Sequence, residues 1–361
     1  MRTHPRIRKK RKCLPTYYMP ERIIKYTDAI REATDQVMAK DESVYVIGLG
    51  IPQGAAGTTN GLKKKYPERV LDTPTSEASI TGLAVGSAVA GLHPIVHHDR
   101  VEFSLLAADQ IFTQAAKWNY MFGGGGPVPV IFRIVVGRQW GNGPQHSQAL
   151  YALFGSVPGL RVVIPSSPAM AKGLLISAAR DKNPVVIMES RWLYGIKEEV
   201  PAEMYEVPLD KARIVQEGSD LTVVGYGDAL YTARQALALL GEAAPRVELI
   251  DLVSINPIDH ETIHASIKKT GRLLTVDTTN GAFSVGSEII AKAAQHRVGF
   301  VDAPRSIAAP DVPCPTPPSL SEHWYPTKVT IANAMLEMLG KPPVDVKLSF
   351  EELHLPPSTT L

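Results

Sequence analysis

Short runs of β-branched and aliphatic residues alternate along this chain with stretches of helical period, and the alternation occurs twice, on either side of a polar segment. In the first half, residues 43–49, 70–73, 93–97, 128–136, 161–164 and 184–188 read as strands, and residues 25–38, 79–90, 105–120 and 169–180 as helices. Ile30, Ala33, Thr34 and Val37 share one face of the first helix at spacings of three and four. The second half repeats the scheme, with strands over 221–224, 246–252 and 273–276 and helices over 229–240, 260–270, 285–295 and 328–339. Strands separated by helices pair in parallel, and strands that are apolar throughout are buried on both faces. The fold class is therefore α/β, with two such domains. The polar stretch 197–209 divides them, so that residues 21–205 form the first and 206–345 the second. Residues 1–20 are expected to be a flexible tail and 346–361 an irregular one; residues 303–326 are rich in proline.

Composition narrows the function classes. A chain with 44% hydrophobic residues, 20% charged residues and a net charge of +2 is neither disordered nor a supercharged nucleic-acid binder. No apolar run is long enough to span a bilayer. The two cysteines, Cys13 and Cys314, are too few and too distant for a disulfide framework or a zinc cluster, and suit a reducing cytoplasm. One asymmetry stands out: Arg2, Arg6, Arg8, Lys9, Lys10, Arg11 and Lys12 precede the first acid, Glu21. No apolar segment follows them, so they do not form a secretory signal.

The chain has no G-x-S-x-G elbow, no P-loop and no C-x-x-C pair. Gly227-Asp228-Ala229 with Asn256 nearly fits a magnesium-diphosphate cradle, but its third position is alanine and Asn256 precedes a proline. Three stretches carry more chemistry. In Asp72-Thr73-Pro74-Thr75-Ser76-Glu77 a carboxylate opens a helix whose Gly82, Ala84, Gly86, Ala88 and Ala90 leave little bulk. That carboxylate is a helix-start residue or a ligand group. His97-His98-Asp99-Arg100, with Phe103 beyond, follows a strand, where open α/β sheets bind ligands. Gly137-Arg138-Gln139-Trp140-Gly141-Asn142-Gly143-Pro144-Gln145-His146-Ser147-Gln148 is a polar glycine-rich loop that also follows a strand.

These stretches, with GLAVGSAVAGLHPI, YMFGG, PVPVIFR, GPQHSQ, PGLRVVIPSSPAMAKGLL, ARDKNPVV and PDVPCP kept in order, resemble the β subunit of thiamine diphosphate-dependent 2-oxo acid dehydrogenases. Those are the decarboxylating components of the pyruvate, branched-chain and acetoin complexes, in the transketolase superfamily. The resemblance runs from about residue 24 to residue 339. It implies a pyrimidine-binding domain followed by a transketolase C-terminal-like domain. It implies that Glu77, in the pattern Glu77-x4-Gly82-Leu83-x-x-Gly86, bonds the aminopyrimidine ring and that Phe103 packs on it. Glu77 and His146 are then the catalytic residues, and Glu77, Phe103, Gly82 and Gly86 the cofactor-binding ones. His97, His98, Arg100, Gln145 and His146 face substrate. A potassium ion is held mainly by backbone carbonyls at Val130, Ala178, Asp181 and Asn183.

The resemblance further implies an α subunit that carries the magnesium and the diphosphate site, an α₂β₂ assembly with a second β subunit, a small-molecule substrate and a lipoyl acyltransferase as acceptor, with no nucleic acid or membrane as partner. Two alternatives stay open. The histidines and arginine after residue 96 suit a polar donor, as in half of a split transketolase-like enzyme. A non-catalytic binding subunit is the other.

Overall fold

The computed structural model describes residues 22–138 and 141–358. The basic run and Cys13 lie outside these residues, as do Gln139 and Trp140 of the glycine-rich loop. The first half contributes β1 (Ile23–Lys25), β2 (Val44–Gly48), β3 (Val70–Asp72), β4 (His93–His98), β5 (Ile131–Val136), β6 (Arg161–Val163), β7 (Val185–Ser190) and β8 (Lys197–Glu199). The second contributes β9 (Arg213–Gln216), β10 (Leu221–Gly225), β11 (Val247–Asp251), β12 (Ser254–Asn256), β13 (Leu273–Asn280) and β14 (Arg305–Ala309).

A seven-stranded sheet runs β12-β6-β7-β5-β4-β2-β3 and a five-stranded sheet runs β14-β13-β10-β11-β9. All neighbours are parallel except β12 on β6 and β9 on β11. β1 and β8 form a separate antiparallel pair. The period of two assigns the residues of the larger sheet to two cores. Val44, Val46, Ile95, Ile131, Val185 and Ile187 pack under the helices Tyr26–Lys40 and Pro168–Ala178. Tyr45, Ile47, Val96, Phe132, Ile134, Val186 and Met188 pack on the other face with Ile80, Ala84 and Ala88 of the helix Glu77–Val89. Both faces are dry, which is why these strands read as unbroken apolar runs.

The polar segment separates the halves in sequence more cleanly than in space. β12 belongs to the second half yet completes the first sheet. The core behind the Glu77–Val89 helix also continues through Tyr226, Ile250, Leu252, Ile263 and Ile289 of the second half.

Several elements differ from expectation. The strand expected from residue 128 begins at Ile131, because Pro127 and Pro129 have no amide to give a ladder. The helix expected over 105–120 is three pieces: a 3-10 turn Leu105–Ala107, a π-helix Asp109–Ala115 and an α-helix Ala116–Met121. The wide π turn keeps both Ile111 and Ala115 buried. The proline-rich stretch supplies an edge strand, β14, from its proline-free residues. The expected irregular tail holds a short helix, Phe350–His354, closed by a capping box between Ser349 and Glu352.

One polar pair lies inside the first core. Arg133 on β5 is fully buried, and its Nε and Nη2 donate to Glu189 Oε1 and Oε2 on β7 at 2.6 and 2.9 Å. Tyr194 Oη donates to the same carboxylate at 3.0 Å. A bidentate pair in a dry core is costly to half-remove, because the surviving charge has no water to turn to. Glu189→Ala is therefore expected to destabilise the chain by about 3–5 kcal/mol. The double variant Arg133→Met/Glu189→Ala is expected to recover much of the loss. Urea unfolding of the full chain checks this, and a double variant as unstable as the single one refutes it.

Candidate active site at the carboxyl edge of the large sheet

The turn after β3 delivers Glu77. Asp72 at the strand end accepts from the amides of Gly50 and Thr73 at 2.9 and 3.0 Å and from Gln53 Nε2 at 3.3 Å, which ties the turn to the loop after β2. Ser76 is the N-cap of the following helix without a side-chain cap bond, and Glu77 is its first residue. The Glu77 carboxylate is half-buried and takes no hydrogen bond or ion pair from any described residue. A pure capping role would engage the helix amides; this carboxylate is left open to a ligand.

The end of β4 delivers the histidines, and alternation sends them to opposite faces. His98 is buried against the Glu77–Val89 helix, its Nε2 3.3 Å from Thr81 Oγ1. Burial first, then the neighbouring His97, lowers its pKa to about 3, so it is neutral. His97 lies on the face of Arg133, with which it is paired in register. Its Nε2 donates to Asp99 Oδ1 at 3.0 Å, and that bond first of all holds Asp99 below the usual carboxylate range. His97 Nδ1 is buried with no partner. Arg100 is buried and donates to the carbonyl of Gly137 at 3.4 Å, at the end of β5. Of the residues expected to face substrate, His98 is thus occupied within the protein, while Arg100 uses one of its several N–H donors there. The burial of His98 and its Thr81 partner are features that adjacent positions in sequence do not report.

Phe103 and His146 come together. Their ring centroids are 5.4 Å apart at 85°, edge to face, and both are half-buried. Two bonds close the loop that makes this contact. Gly137 N donates to Gln148 O at 2.9 Å, and Gln148 N donates to Glu102 Oε1, beside Phe103, at 2.8 Å. Gln145 is exposed. The loop also leans on the second half. Gly143 has φ +70°, and a Cβ there would stand 2.4 Å from Thr316 Oγ1. Arg138 points elsewhere, its guanidinium 4.0 Å from the ring centroid of Trp192 and 4.7 Å from that of Tyr325. Thr316 and Tyr325 sit in the proline-rich stretch, whose part in supporting the loop had no signature in sequence.

The glycines split. A Cβ on Gly82 would meet Gln110 Cγ at 3.5 Å, so Gly82 packs on the π-helix, whereas Gly86 has nothing within 4 Å and is exposed beside exposed Leu83 and Val89.

The expected potassium residues are neighbours, but Asp181 already has a cation. Its Oδ2 lies 2.6 Å from Arg161 Nε, and its Oδ1 accepts from the backbone and side-chain amides of Asn183, both at 2.9 Å. Asn183 Oδ1 accepts from Asn119 at 3.1 Å. The carbonyls of Val130 and Ala178 each accept one amide, from Val185 and Asp181, and retain a second lone pair. The carboxylate thus already meets one cation, and the backbone carbonyls remain as oxygen donors.

Asp228 of the near-cradle is buried, which raises its pKa, and accepts from Thr278 at 3.1 Å. Asn256 Nδ2 donates to Val157 O at 3.0 Å, before a cis bond to Pro257. The two side chains serve different sheets and form no cradle.

Comparison with known proteins bears on the same regions. Residues 22–197 match the family model for the transketolase pyrimidine binding domain, and residues 210–331 that for the transketolase C-terminal domain. The chain is 40% identical over 337 residues to the acetoin:2,6-dichlorophenolindophenol oxidoreductase subunit beta of Bacillus subtilis (strain 168), across 89% of this chain and 98% of that protein. It is 39% identical over 322 residues to the mitochondrial pyruvate dehydrogenase E1 component subunit beta of Homo sapiens, across 87% and 90%. Among solved structures, a split gene transketolase described as an inactive beta4 tetramer matches with a TM-score of 0.73 over 88% of this chain and 98% of its own, at 20% identity. That last likeness is one of fold.

The state of His98 has a measurable consequence. Unfolded, it takes up a proton as pH falls through its ordinary value of 6.5; folded, it does so only near 3. The unfolded chain therefore binds more protons in that window, and stability is lost as pH falls below 6.5. The slope from this one group is about 1.4 kcal/mol per pH unit. Urea unfolding across the window is expected to show a shallower acid slope for His98→Gln than for the parent chain. Equal slopes refute the buried neutral state.

Proposed function

We propose that this chain, which belongs to the β-subunit family of the thiamine diphosphate-dependent 2-oxo acid dehydrogenases, is one half of a two-chain oxidoreductase that decarboxylates a 2-oxo acid and transfers the acyl unit. The observation that carries this reading is the unpartnered Glu77 carboxylate at the same sheet edge as the Phe103–His146 pair. When bound, thiamine diphosphate supplies the acidic thiazolium carbon and the electron sink for decarboxylation. Glu77 suits the pyrimidine ring nitrogen: an ionised carboxylate accepts a proton shared with that nitrogen, and a half-buried position strengthens the bond. Phe103 offers an apolar surface for the ring. His146, held edge-on by Phe103, has a partly exposed imidazole with which to bind substrate or move a proton near the acyl group.

We assign the diphosphate and its magnesium to an α subunit, because Asp228 and Asn256, the nearest approach to a diphosphate cradle among the described residues, are engaged apart from one another, with Thr278 and Val157. The cofactor then lies between α and β in an α₂β₂ assembly, and a lipoyl acyltransferase takes the acyl unit. A potassium ion, where bound, would use mainly the backbone carbonyls of Val130, Ala178, Asp181 and Asn183. No helix among the described residues is long and apolar enough to cross a membrane, and we assign the enzyme to the cytoplasm. The burial and neutral state of His98 count against the polar-donor transketolase reading, since that ring is not free to hold a sugar phosphate. Glu77, Phe103 and His146 together count against a non-catalytic subunit.

Glu77→Gln keeps the shape and removes the proton acceptor. With the α subunit present it is expected to lower turnover by about 10²–10⁴-fold. Size-exclusion chromatography is expected to show assembly unchanged. Turnover above roughly a tenth of the parent value, on the same scale, reduces Glu77 to a helix-start residue.

Assembly has its own test. Gly86 faces open space within the chain, so Gly86→Leu is expected to leave folding of the β chain intact and to disrupt the complex with α. A variant that elutes as the full assembly moves the interface to another surface.

A further inference from the structure

A cavity of about 260 Å³ lies beside the loop of His146, and the thiamine reading does not use it. Three parts of the chain enclose it. The glycine-rich loop gives Arg138 and Ser147, the proline-rich stretch gives Tyr325, and the short helix Phe350–His354 gives Phe350, Leu353 and His354. Phe103 and His146 are not among its lining residues, so it is distinct from the candidate active site.

Two nitrogens on this cavity lack acceptors. Arg138 Nε and His354 Nε2 are each cut off from solvent with no hydrogen-bond partner. Buried polar atoms are ordinarily satisfied, so two orphans on one cavity call for an explanation. Glu322 Oε2 stands 3.7 Å from His354 Nε2, beyond hydrogen-bond reach. Among the described residues Arg138 has no ion-pair partner. The rings of Trp192 and Tyr325 meet its charge through their π faces, which leaves the N–H edge of the guanidinium for a ligand. Asp228 acts on Arg138 electrostatically but is not among the lining residues, and burial shifts that acid toward its neutral form.

The charge inside the cavity is therefore one-sided. Its described lining holds no carboxylate, and burial pushes the Cys314 thiol and the Tyr325 phenol up, so both stay neutral. Phe350, Leu353 and Leu355 supply apolar wall. The space of about 260 Å³ equals roughly eight or nine waters at about 30 Å³ each, room for a small organic acid.

We propose that this cavity binds a small organic monocarboxylate, with the carboxylate on the edge of Arg138 and the apolar body against Phe350 and Leu353, and that the bound acid steadies the loop of His146. A planar carboxylate matches the guanidinium fork, and one arginine suits one negative charge. The link to the loop is direct: Ser147 follows His146 in the chain, and Arg138 begins the same loop.

The test uses the full chain free of thiamine diphosphate, so that its outcome does not depend on the thiamine reading. Benzoate, its uncharged counterpart benzamide and inorganic phosphate are each titrated by calorimetry. The expected result is one benzoate per chain, with much weaker binding of the other two. Saturating benzoate is expected to slow hydrogen exchange of the amides in residues 141–148. Arg138→Gln is expected to weaken benzoate binding roughly ten- to hundredfold, the scale of a lost hydrogen bond to a charged group. Leu353→Trp leaves the arginine in place and fills the apolar end, and is expected to abolish binding. His146→Ala is expected to leave binding unchanged, and circular dichroism establishes that each variant is folded. Absence of benzoate binding overturns the proposal, as does benzamide or phosphate binding as tightly as benzoate. Binding that survives both Arg138→Gln and Leu353→Trp, or that is lost in His146→Ala, assigns the acid to another site. Unchanged exchange in the loop overturns the coupling to His146.

Discussion

A parallel sheet with apolar cover on both faces leaves its carboxyl margin as the place where polar side chains can meet a ligand. The seven-stranded sheet is closed on one face by Tyr26–Lys40 and Pro168–Ala178 and on the other by Glu77–Val89. Glu77, Phe103 and His146 belong to connections that leave the ends of β3, β4 and β5, and His97 lies at the end of β4 itself. The rest of the site follows from that constraint. Asp72 steadies the turn that brings in Glu77, Arg100 braces the end of β5, and Glu102 closes the loop of His146. Polar groups that alternation sends inward must find partners there. Arg133 finds Glu189, and His98 finds Thr81 and stays neutral.

The site is also a product of both halves of the chain. His146 comes from the first, but Gly143 three residues before it rests on Thr316 of the second. Arg138, at the start of the same loop, is held between Trp192 and Tyr325. Arg100 and Arg138 therefore have different tasks: Arg100 braces the sheet edge, while Arg138 fastens the loop across the domain boundary.

How far the sequence was legible depended on the range of the forces involved. The helices 260–270 and 285–295 could be read to the residue, because local period and capping set them: Asp259 and Ser284 each cap through a side-chain oxygen. Strand β12 could not, since three residues pair only because β6 offers an edge. The order of Glu77, Phe103 and His146 was legible as motif; the edge contact of Phe103 on His146 arises from tertiary bonds at Glu102 and Gly137. His97 and His98 looked like one polar group, and only the pleat of β4 separates them.

The position of β12 bears on what a fragment of this protein would be. The polar segment 197–209 invites a cut between the two halves, yet a first half made that way lacks the strand that finishes its large sheet. β6 would then present a row of unpaired amide and carbonyl groups beside the apolar residues Val162 and Val163. An open edge of that kind recruits whatever strand it meets, including another copy of itself. The borrowed strand is thus a guard against self-association as well as a joint between the two halves.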